Sequence, residues 1–201
     1  MPKLRPETRV ERRQDLIEAA WRCAARQGFR DLTVDDVCVE AGVSKGAFYG
    51  YFAQKQDLLL ALLDDDAAAL DGELERITRN SASGIERMRR FAQAALERGE
   101  DAARVQVRAD LWAELLTEEP VRQRLAVVTQ RRRELVRAWI EEAVASDELV
   151  AIPENALASI LLALTDGLML HGALEADAFR WRNIRRAIDL LLAGVEADGA
   201  R

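Results

Sequence analysis

Lys45, Gly46, Ala47 and Tyr49 follow directly on Ser44, a residue type that favours the N-cap of a helix. At about 100° per residue, a helix opened by Ser44 turns Lys45, Gly46, Tyr49 and Gly50 to one side, with Ala47 at its edge. Phe48 and Phe52 turn to the other. The first set can donate hydrogen bonds and present positive charge from a low surface. A lysine reaches guanine edges or phosphate, an alanine touches a thymine methyl, and a tyrosine hydroxyl donates to phosphate. Two glycines in so short a helix cost roughly 1 kcal/mol each relative to alanine. They make sense where that face must come close to something. A major groove, about 12 Å wide, admits one helix.

That helix needs supports, and the preceding residues supply them. Thr33 is a good N-cap, and Asp36 three residues on completes a capping-box pair. Val34, Val37, Cys38 and Ala41 share one face, and Gly42 ends the helix after about two turns. Upstream, Leu16, Ile17, Ala20, Cys23 and Ala24 form the apolar stripe of a first helix over Arg9–Gln27. Gly28 stops it, and Phe29 is placed to pack beneath the next helix. A short helix, a glycine turn and a second capped helix make a helix-turn-helix over roughly residues 33 to 52. The DNA-contacting candidates are Thr33, Ser44, Lys45, Gly46, Ala47, Tyr49, Tyr51 and Lys55, the last at the start of the following helix near exposed amides. The alternative is a three-helix lobe whose lysines and tyrosines are ordinary solvated residues.

Charge is distributed unevenly. The net charge is −6, but residues 1 to 56 hold ten Lys/Arg against eight Asp/Glu, while the remainder holds nineteen against twenty-seven. An acidic body with a mildly basic end is compatible with nucleic acid at that end only. Helix-forming Ala, Leu, Arg and Glu dominate, and no long Ser/Gly/Pro linker interrupts the chain. The charged N-terminus lacks an apolar secretory core, so a cytoplasmic location is expected. Cys23 and Cys38 read as small packed side chains within helices. No phosphate loop, nucleophile elbow or zinc motif occurs, and His171 is the single histidine. Catalysis, a metal and a cofactor are therefore not expected.

The string LTVDDVCVEAGVSKGAFYGYFAQKQDLLLALL, Leu32 to Leu63, preceded by Arg26–Phe29, resembles the DNA-binding domain of the TetR family of bacterial regulators. Matching features are Thr33-Val34, Ala41 to Ser44, Ala47, the Phe48-Tyr49 pair, the Tyr49-to-Phe52 step and Lys55. Gly50 and Cys38 depart from the family pattern, which carries a larger residue at the first and commonly alanine at the second. The resemblance implies an all-α chain. A three-helix helix-turn-helix domain (residues 1–53) would precede a larger helical effector-binding and dimerisation domain (54–201). It also implies a repressor released from a double-stranded DNA operator by a small hydrophobic or amphiphilic molecule, acting as a homodimer without a membrane. A helical regulator or protein-binding adaptor with no small-molecule effector is the alternative.

In the body, helices are expected at about 54–78, 83–98, 102–117, 120–146, 153–174 and 181–195. Ala156–Leu174 is apolar nearly all round and must be buried on several sides; Asp166 and His171 argue against its spanning a membrane. Trp181, Ile184, Ile188, Leu191 and Val195 form a stripe on the last helix. These two helices would pair with a second copy, through Leu161, Leu168, Trp181, Ile184, Ile188 and Leu191. Effector candidates are Arg108, Trp112, Leu116, Trp139, Asp166, Met169 and His171, because polar groups in apolar helices are the unusual observation. Acidic neighbours lean the reading toward cationic or amphiphilic ligands. Each of these residues would equally serve as an ordinary core or interface side chain.

Overall fold

A computed structural model describes residues 6–115, 118–174 and 180–197. Among the described residues the chain is all-helical, without strands. The helices are α1 Pro6–Gln27, α2 Val34–Ala41, α3 Lys45–Tyr49, α4 Lys55–Asn80, α5 Gly84–Glu100, α6 Ala102–Leu115, α7 Glu119–Ala145, α8 Glu154–Leu174 and α9 Trp181–Ala193. The expected body helices match to within a few residues. Helix α1 begins three residues earlier than expected, at Pro6, since proline suits a first helical turn.

Two compact units emerge from the packing. One draws on Met1–Ala68 and Gln106–Arg124, the other on Ala69–Val105 and Leu125–Arg201. Parts of α4, α6 and α7 belong to the first unit.

In that unit Leu16, Ile17, Ala20, Cys23 and Ala24 of α1 are buried, as are Val37 and Cys38 of α2. Phe48 and Phe52 complete this core with ring centroids 5.4 Å apart. Polar contacts then fix α4. Asp64, Asp65 and Asp66 are consecutive, so their side chains leave the helix about 100° apart. The Asp64 carboxylate accepts from Arg124 of α7 at 2.6 Å. Asp65 accepts from the Trp21 indole and the Gln14 amide of α1, each at 2.9 Å. Asp66 accepts from Arg108 of α6 at 2.6 Å.

The Asp66–Arg108 pair is the most covered of these, with side chains 17% and 9% exposed. Truncating one partner of a buried pair leaves an uncompensated charge. Arg108→Ala should therefore cost about 3 kcal/mol in urea denaturation, and Arg108→Met with Asp66→Leu should recover most of it. A single-mutant cost of only a few tenths would show that the pair does not hold α6 to α4.

The second unit is built around Trp139, Met88, Phe91, Leu74 and Ile140, with α5 packed on α8 and α9. Its tightest crossing is at Gly84. A Cβ there would overlap the Trp139 carbonyl oxygen and lie 2.8 Å from the Ala143 Cβ. Helix α9 buries Ile188 and Leu192, with Trp181, Ile184 and Val195 packed alongside. The inward stripe thus runs through Leu192 rather than Leu191, which is 65% exposed. Leu192 lies about 40° from Ile188 on the wheel, closer to the centre of that face than Leu191.

The interface candidates divide in their surroundings within the subunit. Leu161 and Ile188 are buried in this unit's own core, and Leu168, Trp181 and Ile184 pack against it. Of that group, only Leu191 is exposed. Helix α8 presents a different outward row. Ile160, Leu170 and Leu174 are exposed large apolar side chains, and Ala163 and Gly167 lie between them at alternating three–four spacing. The segment Glu154–Gly172 is long and apolar enough to cross a membrane by length and composition, yet only 22% of it is buried within this chain. Within this chain the helix is buried on one side.

Candidate nucleic-acid interface

Thr33 and Asp36 form the expected capping box. The Thr33 hydroxyl accepts from the Asp36 amide at 3.1 Å, and the Asp36 carboxylate accepts from the Thr33 amide at 2.9 Å. Because the same hydroxyl also donates to Asp36 at 2.6 Å, it is committed within the cap. The Thr33 hydroxyl, then its amide, then Gln27 hold the Asp36 carboxyl below its ordinary pKa. The stabilisation is present above the unfolded carboxyl's pKa and fades as pH falls through the lower folded value.

Gly42 closes α2 with φ 65°, a left-handed turn that favours glycine. Ser44 then caps α3 by accepting from the Ala47 amide at 3.2 Å. Lys45, Gly46, Ala47 and Tyr49 are all exposed, while Phe48 on the opposite side is fully buried. The two glycines divide in role. A Cβ on Gly46 would meet only the Ser44 hydroxyl, at 3.9 Å, so this face is open to close approach. Gly50 is the C-cap, with φ −72°, and a Cβ there would come within 3.1 Å of the Ala47 carbonyl oxygen.

Other candidates are more engaged than their types suggested. The Lys45 ammonium lies 2.8 Å from the Asp35 carboxylate, and both side chains are exposed. The Lys55 ammonium turns to the Arg30 carbonyl at 3.2 Å and lies 4.9 Å from the Phe29 ring centroid. The amides of Ala53 and Gln54, just before Lys55, donate to the Asp57 carboxylate. Tyr51 is half-buried beneath the Arg9 guanidinium, which donates to the Gly50 carbonyl at 3.2 Å. Arg22 and Arg26 both donate to Glu40, at 2.7 and 2.6 Å, joining α1 to α2.

Asp35 and Arg9 went unassigned in the sequence. The signal for Asp35 was weak, an acidic residue in a first helical turn, a position that usually needs no further explanation.

The effector candidates do not form one cluster within a unit. Arg108 and Trp112 belong to the first unit, Trp139, Asp166, Met169 and His171 to the second, and Leu116 lies outside the described residues. Arg108 is bound to Asp66, Trp139 is core, and His171 is exposed rather than enclosed. The Trp139 indole N–H is buried without a hydrogen-bond partner among the described residues. Asp166 and Met169 are half-buried. In the first unit a cavity of about 280 Å³ lies against Phe29, Arg30, Lys55, Gln56, Leu59 and Glu118, none of them an effector candidate.

Two capped helices joined by a left-handed glycine, with a low exposed face bearing lysine and tyrosine, define a helix-turn-helix DNA-binding protein. Comparison with known proteins carries this further. Residues 16–62 match the profile of bacterial regulatory proteins of the tetR family, and residues 84–196 match that of the BetI-type transcriptional repressor C-terminal region. The chain belongs to the TetR family and is a DNA-binding transcriptional regulator.

A BetI regulator from Paraburkholderia phytofirmans is 31% identical, over 98% of this chain and 100% of its own length. The AcnR repressor of Corynebacterium diphtheriae is 41% identical over 59 residues, spanning 29% of this chain and 31% of the relative. A regulator from Saccharomonospora viridis, solved in complex with choline, superposes with a TM-score of 0.84 at 21% identity, covering 94% of this chain and 99% of that one.

Proposed function

We propose that the chain is a homodimeric repressor that binds a double-stranded DNA operator through α2 and α3 and leaves it when a small cationic effector binds. The open α3 face carries the reading, with Lys45 and Tyr49 projecting and Gly46 leaving room for a groove wall. Ser44, Lys45, Gly46, Ala47 and Tyr49 are its contacts. Thr33, Tyr51 and Lys55 act mainly by shaping the head, since their polar atoms or rings are engaged within it.

A second copy is needed because two recognition helices must be presented about 34–36 Å apart to successive major grooves. The exposed row of α8 and the adjacent leucines of α9, Leu190 and Leu191, supply an apolar surface for it. The likeness to a regulator solved in complex with choline favours an effector carrying an ammonium group. Asp166, half-buried on α8, is the candidate of the second unit best suited to one, because a carboxylate attracts such a cation. A cytoplasmic site of action follows from the operator. Effector release is limited by the difference in affinity between the two protein states, typically about 1–3 kcal/mol of coupling.

Titration into labelled duplex from the protein's own promoter region, beside a scrambled duplex at two salt concentrations, tests the reading. Tight, salt-sensitive preference for the promoter duplex is expected, with choline shifting the curve to weaker binding. Lys45→Ala should weaken promoter binding roughly tenfold while leaving the fold and the dimer unchanged. Salt-independent binding, or none to either duplex, would move the protein-binding adaptor to the front.

A further inference from the structure

Lys45 is the one basic side chain on α2 and α3, yet it is already engaged. Asp35, in the first turn of α2, holds its ammonium at 2.8 Å, on a surface where the lysine and aspartate side chains are 59% and 61% exposed. The neighbouring carboxylates have other work. Asp36 closes the capping box, and Glu40 binds Arg22 and Arg26. Asp35 is thus the carboxylate that faces Lys45. Its hydrogen bond to the ammonium, more than the accompanying charge attraction, holds the lysine's pKa above its ordinary value.

An exposed ion pair is weak and screened by salt. It is still the alternative against which any DNA acceptor must compete. A lone phosphate oxygen offers Lys45 much what Asp35 already offers, one anionic acceptor in water. A guanine edge offers two acceptors, O6 and N7, that one ammonium reaches together, and so gives Lys45 what a single carboxylate contact does not. The Asp35 carboxylate also repels a phosphate approaching its own face.

Building on the DNA-binding role proposed above, we infer that Asp35 is a selectivity-setting residue. It withholds Lys45 from bare backbone phosphate and releases it to a base edge. The pair suppresses non-specific binding while leaving base reading available.

The test uses the full-length protein and a mixed-sequence duplex without a promoter match, titrated by fluorescence anisotropy across a salt series. Asp35→Asn should bind this duplex about three- to fivefold more tightly at low salt, the scale of one exposed pair. The steepness of log affinity against log salt should rise by about 0.9, one further phosphate neutralised. Asp35→Glu, which keeps the acceptor, should restore wild-type behaviour. The same substitution on a Lys45→Ala background should give a much smaller gain and no added salt slope. Thermal melts of all variants verify that the head remains folded.

Equal gains with and without Lys45 would overturn the inference, because the carboxylate would then act only by repelling DNA. An unchanged affinity and slope in Asp35→Asn would overturn it as well. Both leave the regulator reading intact, provided the wild type binds duplex with salt dependence. A wild type that fails to bind at low salt removes that reading and this inference with it.

Discussion

Ile160→Glu combined with Leu191→Glu should leave a folded monomer in sedimentation analysis and weaken binding to a two-half-site operator about 100-fold or more. Both side chains stand on the solvent side of their helices, so glutamate there disturbs no packing within the subunit. In a dimer paired through α8 and α9, the same carboxylates would be buried without cations, a placement that costs several kcal/mol. Losing the partner converts two tethered DNA contacts into independent weak ones, and the loss of effective concentration alone accounts for factors of about 10² to 10⁴. Ile188→Glu is the informative contrast. Ile188 is 6% exposed and belongs to the core of the second unit, so its substitution should lower the melting temperature of the subunit. If the double variant still sediments as a dimer, α8 and α9 do not form the interface.

Gly84→Ala should destabilise the second unit by about 3 kcal/mol, a large effect for a single methyl group. The added Cβ would meet a backbone oxygen at Trp139 and the Cβ of Ala143, neither of which can move by a rotamer change. Relief requires α5 and α7 to separate at their crossing, which opens space around Trp139, one of the largest fully buried side chains. Gly167→Ala is a control on fold stability, since nothing lies within 4 Å of its Cβ position in the subunit. Denaturation that follows the second-unit tryptophans would separate the two variants. Equal stability would show that the helices give way more readily than the geometry allows.

The helix-turn-helix was legible because its information is local. Thr33, Asp36, Gly42 and Ser44 define ends through hydrogen bonds within a few residues, and Phe48 and Phe52 mark an inward face by their spacing. Periodicity alone could not tell which of two faces on α8 or α9 turns inward. An apolar helix with two apolar faces gives no contrast, and Leu191 was grouped with Ile188 although Leu192 is its inward neighbour. The engagements of Lys45, Lys55 and Arg108 were hidden for another reason. Each depends on a partner ten or more residues away, Asp35, Arg30 and Asp66, and side-chain type does not reveal whether a cation is already spoken for.

The three successive aspartates of α4 have a consequence for how that helix can move. Apolar packing is forgiving toward a small roll, because one methyl group slides past another with little change in contact. Carboxylates directed at three different helices are not forgiving in this way. A roll that brings Asp66 deeper toward Arg108 carries Asp64 and Asp65 around by the same angle, away from the Arg124 guanidinium and the Trp21 indole. The run acts as a key with three teeth that fixes the rotational phase of the helix about its own axis.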